Sequence, residues 1–556
     1  MRLSESTDLW WKNAVIYCLD PETFLDSDGD GIGDLTGVID RVDHLEELGV
    51  TCVWLMPIHP SPNLDDGYDI VDHYGVDPRL GSPGDMAVLI RMLHDRGMRV
   101  IMDLVVNHTS IEHPWFQDAR RSRESRFRDF YVWTDDPDGE PEIEPTFPGE
   151  DDTVWTWDEQ AGQYYLHHFY SHQADLNLRN DDVVDEIAKI IGYWLQLGVD
   201  GFRVDAVPFL AEPEGIEEGS YRDPHDLFRD LRAYMGRRSG DAIFLGEVNL
   251  PPDDAVKYFG NGGGDELHLV FGFSVMQATY LALARRDARP LRHALRRVPR
   301  APEDGQWVNF VRNHDELTLD QLTDAAREEV FAAFAPDPGM RIYGRGIRRR
   351  LPPMLDGHDG LLRMCYSLVL SLPGVPALFY GEEIGMGENL DLPGRMAVRS
   401  PMQWDGSERG GFSAGGATDL ERDPPSGPFG PATVNVADQH RVPGSFLTWI
   451  SAAIRCRRQA PEFGWGEVEV IDVDAPGVLV VKVSWEHRTT YTVHNFADAT
   501  GTVRLDVAGT DDVHRVTELL GATGKPPQLA NGTLTIKVRP FDYRWIRLES
   551  SPQPPP

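Results

Sequence analysis

The chain has 556 residues, 41% hydrophobic and 26% charged, so it is globular and long enough for two or three domains. Its 90 acidic residues against 53 basic ones, nearly all Arg, give a net charge of -37, which excludes nucleic acid and an anionic membrane surface as partners. The opening MRLSESTDLWWK has no apolar core of a signal peptide, and the longest apolar run, Met364 to Tyr380, is broken by Ser367, Ser371, Pro373 and Pro376. Cys18, Cys52, Cys365 and Cys456 are widely spaced in apolar surroundings, the pattern of free thiols in a reducing cytoplasm. The acid excess favours solubility and permits, without requiring, a homo-oligomer.

A strand-then-helix rhythm runs through the first 380 residues. Ala14 to Leu19 reads as a strand and Thr36 to Leu48 as a helix stopped by Gly49. Thr51 to Met56 is the second strand. Ser82, Pro83 and Asp85 open a helix whose buried stripe is Met86, Leu89, Ile90 and Leu93. Arg99 to Val105 is the third strand. Asn180 caps a helix with the stripe Val183, Ile187, Ile190, Ile191 and Trp194, and Gly198 ends it before the strand Gly201 to Asp205. Further strands are expected at Ala242 to Glu247, Leu267 to Phe273, Trp307 to Arg312 and Pro376 to Tyr380. Eight strands alternating with helices predict an α/β chain folded as a (β/α)8 TIM barrel over 1–106 and 179–460.

Residues 107–178 interrupt the rhythm after strand 3 and predict an inserted, loop-rich domain that shapes the substrate pocket. Its Trp155, Trp157, Tyr164 and Tyr165 suit either stacking on sugars or a small local core. His167, His168 and His172 read as hydrogen-bonded rather than as a metal site. The run Arg348 to Arg350 reads as a solvated helix face. Residues 461–549 turn to short Val- and Thr-rich runs and predict a C-terminal β-sandwich, followed by a disordered tail at 550–556.

The chemistry concentrates at strand ends. In GFRVDAVPF, Arg203 and Asp205 are two apart and share a face of one strand, so the guanidinium is expected to keep the carboxylate ionised. A structural ion pair would look the same. Strand 3 ends in Asp103, Asn107 and His108, strand 5 in Glu247 and strand 7 in Asn313, His314 and Asp315. In a barrel these ends converge on one face. Asp205 as nucleophile, Glu247 as acid/base and Asp315 as transition-state stabiliser would suit cleavage of a glycosidic bond.

DLVVNH, GFRVDAVPF, LGEVN and VRNHDE resemble the four signatures of glycoside hydrolase family 13, the alpha-amylase family, and HQADLN resembles its fifth. The resemblance implies a retaining mechanism without an organic cofactor, with His108, Arg203 and His314 lining the first sugar subsite. DDGYDI is similar to the motif of the oligosaccharide-active α-glucosidases, implying that Asp65 and Tyr68 bind the non-reducing glucose. Arg399 in VRSPMQW is similar to the arginine that pairs with Asp65 and closes the pocket for exo action on small α-glucosides. WWKNAVIY, RNHDELTL, APDPGMRIYGRGIRRRL and GEEIGMGENL are similar to trehalose synthases, which interconvert maltose and trehalose. YCLDPETFLD, Leu250 after GEVN, and NLDLPGRMAVRS depart from that subgroup. An exo-α-glucosidase, or a transglucosylase with another acceptor, is therefore the alternative, and a non-catalytic family relative is a more distant one.

DSDGDGIGD sets Asp26, Asp28, Asp30 and Asp34 around a Gly-rich turn, a pattern suited to a structural Ca2+ or Mg2+ with the Ile32 carbonyl, or to an acidic turn without metal. The resemblance to trehalose synthases implies a second ion held by Asn107, Asp175 and Glu212 with the Phe209 and Leu210 carbonyls.

Overall fold

Eight short apolar runs pair in parallel and close on themselves into a barrel. The computed structural model describes residues 9–140, 143–211, 225–260, 263–413, 420–507, 513–521 and 527–550. The barrel strands, one to eight, are Ile16–Leu19, Cys52–Leu55, Arg99–Leu104, Gly201–Val204, Ile243–Gly246, Leu269–Phe271, Gln306–Asn309 and Val375–Phe379. They follow sequence order around the ring, and the eighth closes on the first through Ile16↔Ala377 and Tyr17↔Leu378. Their side chains are buried on both faces, as parallel strands wrapped by helices require.

Local chemistry sets the helix ends. Ser82 and Asp85 form a reciprocal capping box at Pro83–Asp95, and the Asn180 side chain accepts from Asp182 N–H at the start of Asp181–Leu197. Gly49 and Gly198 take left-handed φ of 96° and 119° to end their helices. The helix expected over Thr36 to Leu48 is two helices, Leu35–Asp40 and Val42–Leu48, joined at Arg41. The cap is Asp34, which accepts from Gly37 N–H at 2.7 Å. A Cβ on Gly37 would lie 1.9 Å from the Leu25 carbonyl, so only glycine lets this turn pack there. Arg41, at the break, sets its guanidinium 4.3 Å over the Trp404 ring.

Between strands three and four, the chain pairs His108–Ser110 with Gln173–Asp175 and builds a three-stranded sheet from Trp133–Thr134, Gln163–Leu166 and Trp155–Asp158. Trp155 belongs to a small local core with Val154 and Leu166, whereas Trp157 is 45% exposed. All three histidines of this segment have ring contacts or hydrogen bonds: His167 to Thr156, His168 to Asp175, and His172 stacked on Tyr170.

C-terminal to the barrel, a five-stranded and a three-stranded antiparallel sheet enclose Val480, Val493, Ile536 and Ile546. This unit docks on the helix Asp359–Ser371, where Ser367 Oγ accepts from Trp545 Nε1 at 2.9 Å and pairs with His494 at 3.0 Å. Residues 551–556 of the expected tail, and Glu212, lie outside the described residues. Among those described, no helix is long and apolar enough to cross a membrane, and all four cysteines are free thiols.

Candidate active site

Barrel register builds the centre of the site. Asp103 on strand three lies directly opposite Arg203 on strand four, and Leu245 on strand five flanks Arg203 on the other side. Arg203 is 1% exposed. Its Nη1 donates to Asp103 and, at 2.7 Å, to Asp205 Oδ1, and its Nη2 donates to Glu247 Oε2 at 2.7 Å. One cation is thus shared by three carboxylates. Beyond the strand ends, Asp205 N–H donates to the Leu104 carbonyl and Glu247 N–H to the Val204 carbonyl, so the ladder extends to both site residues. Ala206 then turns the chain with a left-handed φ of 49°, and its N–H points to Glu247 Oε2 at 3.3 Å. A non-glycine residue in that region costs on the order of 1–3 kcal/mol and persists because the surroundings fix it.

The guanidinium does not hold Asp205 in the ordinary carboxylate range. Burial, and the nearby charges of Asp103, Asp315 and Asp65, outweigh Arg203 and push Asp205 up to about 6. Burial likewise lifts Glu247 to about 7 against the pull of Arg203, with Asp205 and Asp315 adding to the rise. The expected pair forms, and Asp205 is still mostly ionised near pH 7, but a single charge divided three ways does not fully offset desolvation.

Asp315 has the opposite environment. Burial opposes its ionisation, yet His314, Arg395 and Arg399 together bring it well below the usual carboxylate range. Arg395 Nη1 donates to Asp315 Oδ1 at 2.7 Å and Arg399 Nη2 to the same oxygen at 3.1 Å. His314 is buried, which lowers its pKa to about 4, so the ring is neutral near pH 7. Its Nε2 lies 2.8 Å from Tyr68 Oη and 3.1 Å from Asp315, and the Tyr68 and His314 rings stack at 5.5 Å. His108 Nε2 lies 3.2 Å from the Tyr68 carbonyl, and burial lowers this imidazole too.

The pairing expected between Arg399 and Asp65 is made by a different arginine. Arg395 Nη2 donates to Asp65 at 2.7 Å, while Arg399 donates to Asp66 at 2.7 Å and to the His314 carbonyl at 2.9 Å. Arg399 is fully buried and reaches Asp315 from its far side, and Arg395 bridges Asp65 and Asp315. Gln173 completes the Asp65 environment, donating to its other oxygen at 2.9 Å. The only sequence signal for Arg395 was its place in NLDLPGRMAVRS, the segment before PMQW that departs from the trehalose synthase pattern. Its partners are 80 and 330 positions away.

The Arg348–Arg350 run is not a solvated helix face. Arg348 donates to the Leu390 and Leu392 carbonyls, Arg349 to Glu388 at 2.7 Å, and Arg350, 1% exposed, to the Val398 and Tyr380 carbonyls. Together they staple residues 388–398, the segment that carries Arg395. Leu250, one of the departures after Glu247, lines a cavity of about 40 Å3 with Phe271, Phe273 and Trp307.

Of the acidic turn, the structure brings together Asp26, Asp28 and Asp34, with one carboxylate oxygen of each within 4.8 Å of the others. Asp26 and Asp34 are further oriented by the Gly29, Gly31, Ser27 and Gly37 N–H groups, and three converging hard oxygens fit a divalent cation. Asp30 stands outside this group and accepts from Ile32 N–H at 2.8 Å. At the second expected site the structure brings Asn107 and Asp175 together, with Asn107 Nδ2 3.3 Å from Asp175, whose oxygens also meet the His168 ring and N–H. Phe209 contributes its ring to His168 and Phe169, and Leu210 is buried in the main core.

Comparison with known proteins fits this geometry. The family model described as "Alpha amylase, catalytic domain" matches residues 16–332. The trehalose synthase/amylase of Mycobacterium tuberculosis is 40% identical over 84% of this chain and 78% of its own, and the trehalose synthase of a Pimelobacter species is 39% identical over 86% of each. The oligo-1,6-glucosidase of Parageobacillus thermoglucosidasius is 29% identical over 97% of this chain and 99% of its own. An isomaltulose synthase from Erwinia rhapontici superposes with a TM-score of 0.78 at 25% identity, covering 98% of this chain and 100% of that one.

Replacing Arg350 by Met would leave the buried Val398 and Tyr380 carbonyls without donors, at about 1–3 kcal/mol per group. Thermal melting should show a lowered midpoint; an unchanged midpoint would mean that Arg350 does not staple the segment.

Proposed function

The chain belongs to the alpha-amylase family, glycoside hydrolase family 13, and from that premise we propose that it is a retaining enzyme of short α-glucosides, acting as a trehalose synthase-like isomerase of maltose. The observation that carries the reading is the shared Arg203, which sets two carboxyl groups side by side with different proton affinities. Such a pair supports double displacement, in which the two carboxyls stand about 5–5.5 Å apart.

Asp205 Oδ1 is held by Arg203, which leaves Oδ2 to attack the anomeric carbon. Glu247 Oε2 is held by Arg203 and Ala206 N–H, which leaves Oε1 to carry the proton given to the glycosidic oxygen. The first bond to break is the one between the anomeric carbon and that oxygen, and the bond formed is a β-glucosyl ester on Asp205. Glu247, now ionised, takes the proton from the anomeric hydroxyl of the released glucose, whose oxygen attacks the anomeric carbon of the glucosyl ester, breaks its bond to Asp205 Oδ2 and yields trehalose. Asp315, kept ionised by Arg395 and Arg399, stabilises the positive charge that develops on the ring in both steps. Asp65, Tyr68, His108 and His314 would hold the glucosyl hydroxyls, and Arg395 closes the non-reducing end. Four free thiols support a reducing cytoplasmic location. We also assign a structural Ca2+ or Mg2+ to Asp26, Asp28 and Asp34; the second expected site carries no step in this scheme.

The likeness to an oligo-1,6-glucosidase over nearly the whole chain favours a second reading, exo-hydrolysis with water as acceptor. Anomeric-proton NMR of purified protein with maltose separates the two. Trehalose with little free glucose supports the isomerase, and α-glucose without trehalose overturns it. Asp205→Asn should lower turnover by at least 10³-fold without altering the melting midpoint. kcat/KM should rise as Asp205 ionises through about 6 and fall as Glu247 loses its proton through about 7, a narrow bell; a flat profile from pH 5 to 9 would refute the assignment of these two roles. Removing metal with a chelator should lower the melting midpoint, losing about 2.7 kcal/mol where the ion had been present at a hundred times its Kd. Asp26→Asn protein should no longer respond to the chelator.

A further inference from the structure

A chamber of about 660 Å3 lies against the site but is lined by none of its three catalytic carboxylates. Asp65 and Arg395 are in its wall, and the other two contacts of Arg395's guanidinium face inward to Asp315 and across to Phe147. Arg395 is therefore the partition between the chamber and the catalytic centre. The rest of the wall mixes ring faces with oxygen acceptors: Tyr170 and His172 stacked at 5.2 Å and 8°, Tyr343, Asp151 and Glu421. The His172 Nε2 is buried without a partner. Apolar ring faces beside carboxylates suit the two kinds of surface on a pyranose, and the volume lies within the roughly 300–1,000 Å3 range of ligand pockets.

The partition is braced from two separate parts of the chain. Phe147, from the inserted segment, packs 4.9 Å from the Arg395 guanidinium and stacks at 4.8 Å on Tyr343, at the tip of the hairpin that pairs Arg341–Ile342 with Gly346–Ile347. Tyr343 holds a left-handed φ of 52°, its hydroxyl lies 3.1 Å from that of Tyr170, and Arg345 donates to the Thr146 carbonyl at 2.8 Å. Arg348 to Arg350 leave the same hairpin to staple the segment that carries Arg395.

We infer that this chamber is a latent set of donor-side sugar subsites, able to take the further glucosyl units of an α-glucan chain, and that Phe147 and Tyr343 are the specificity-determining residues that keep it shut off from the catalytic carboxylates. Asp65 sits at the non-reducing end of the pocket in the reading above, on which this assignment rests, so the chamber continues the donor side. Holding the partition closed confines cleavage to the terminal glucose. Loosening it lets a chain thread through.

The test uses a 4-nitrophenyl α-maltooligosaccharide whose non-reducing 4- and 6-hydroxyls are blocked, so that only a site able to accommodate internal units releases nitrophenol. Wild-type protein should leave it intact; turnover by the wild type would sink the exo reading itself. Phe147→Ala and Tyr343→Ala should each raise nitrophenol release at least tenfold over wild type, and Phe147→Tyr, which keeps a ring face against Arg395, should behave as wild type. If Phe147→Ala and Tyr343→Ala remain inert on the blocked substrate, the chamber assignment is wrong and the exo reading stands. An increase only in the ratio of glucose to trehalose from maltose would place the chamber on the acceptor side and also overturn it. Calorimetry gives a readout without variants: maltotriose should bind wild-type protein whose catalytic pocket is filled by 1-deoxynojirimycin. No heat at millimolar maltotriose would overturn the proposal.

Discussion

A single buried arginine sets the protonation chemistry of this barrel. Arg203 cannot give up its proton in a protein, and it stands among Asp103, Asp205 and Glu247, which cannot all be neutralised by one charge. Desolvation therefore decides which carboxyl keeps a proton. Asp103 and Asp205 are each raised to about 6 and Glu247 to about 7, so near neutral pH the group placed to donate is the one most often protonated. The cation supplies orientation, and its insufficiency supplies the acid. A second arginine beside Glu247 would bring it down and remove the donor.

Asp315 shows the converse within the same cavity. Two guanidiniums reach one of its oxygens, and the carboxyl is depressed where its neighbours are raised. The two regimes have different supports. Arg203 stands on a central strand whose register with strands three and five fixes it. Arg395 stands on a non-strand segment held by three arginines from a hairpin excursion. Proton chemistry is thus tied to the barrel, and pocket length to an appended part that can vary without disturbing it.

What could be read from the sequence follows how local the determining interaction is. The eight strands, the Ser82 capping box and the Gly49 and Gly198 stops depend on a few neighbouring residues, and the chain folds there as its pattern predicts. The split falls at Arg41, whose guanidinium lies over Trp404, more than 300 positions away. The same distance hid the pairing of Asp65 with Arg395, because Arg399 is the arginine adjacent to the recognisable PMQW motif. The triple arginine was misread because three consecutive cations normally face water, whereas here the partners are backbone carbonyls and a buried glutamate, which leave no pattern in sequence. Arg203 beside Asp205 was legible as geometry but not as electrostatics: the pair forms, yet burial, with the charges of Asp103, Asp315 and Asp65 adding to it, outweighs the guanidinium and raises the carboxyl.

The choice between water and a retained sugar as acceptor does not lie in the carboxyl groups, because both outcomes use the same ester and the same base. Under the proposed reaction it would lie in how firmly the walls around the released sugar are held. The loop that follows Glu247 is pinned. Asn249 Nδ2 donates to Asp320 at 2.7 Å, its Oδ1 accepts from Gln321 at 2.8 Å, and Asp320 in turn accepts from Gln277 at 2.9 Å. Gln321 also donates to the Leu250 carbonyl, while the Leu250 side chain lines the small cavity beside Phe271 and Trp307. The polar atoms of the Asn249 side chain are thus spent on this network, so the loop after Glu247 is a preformed surface rather than an adjustable one. If the proposed isomerisation releases glucose beside this loop, the sugar would turn against a fixed wall, and a fixed wall excludes water without requiring a closing motion at each turnover.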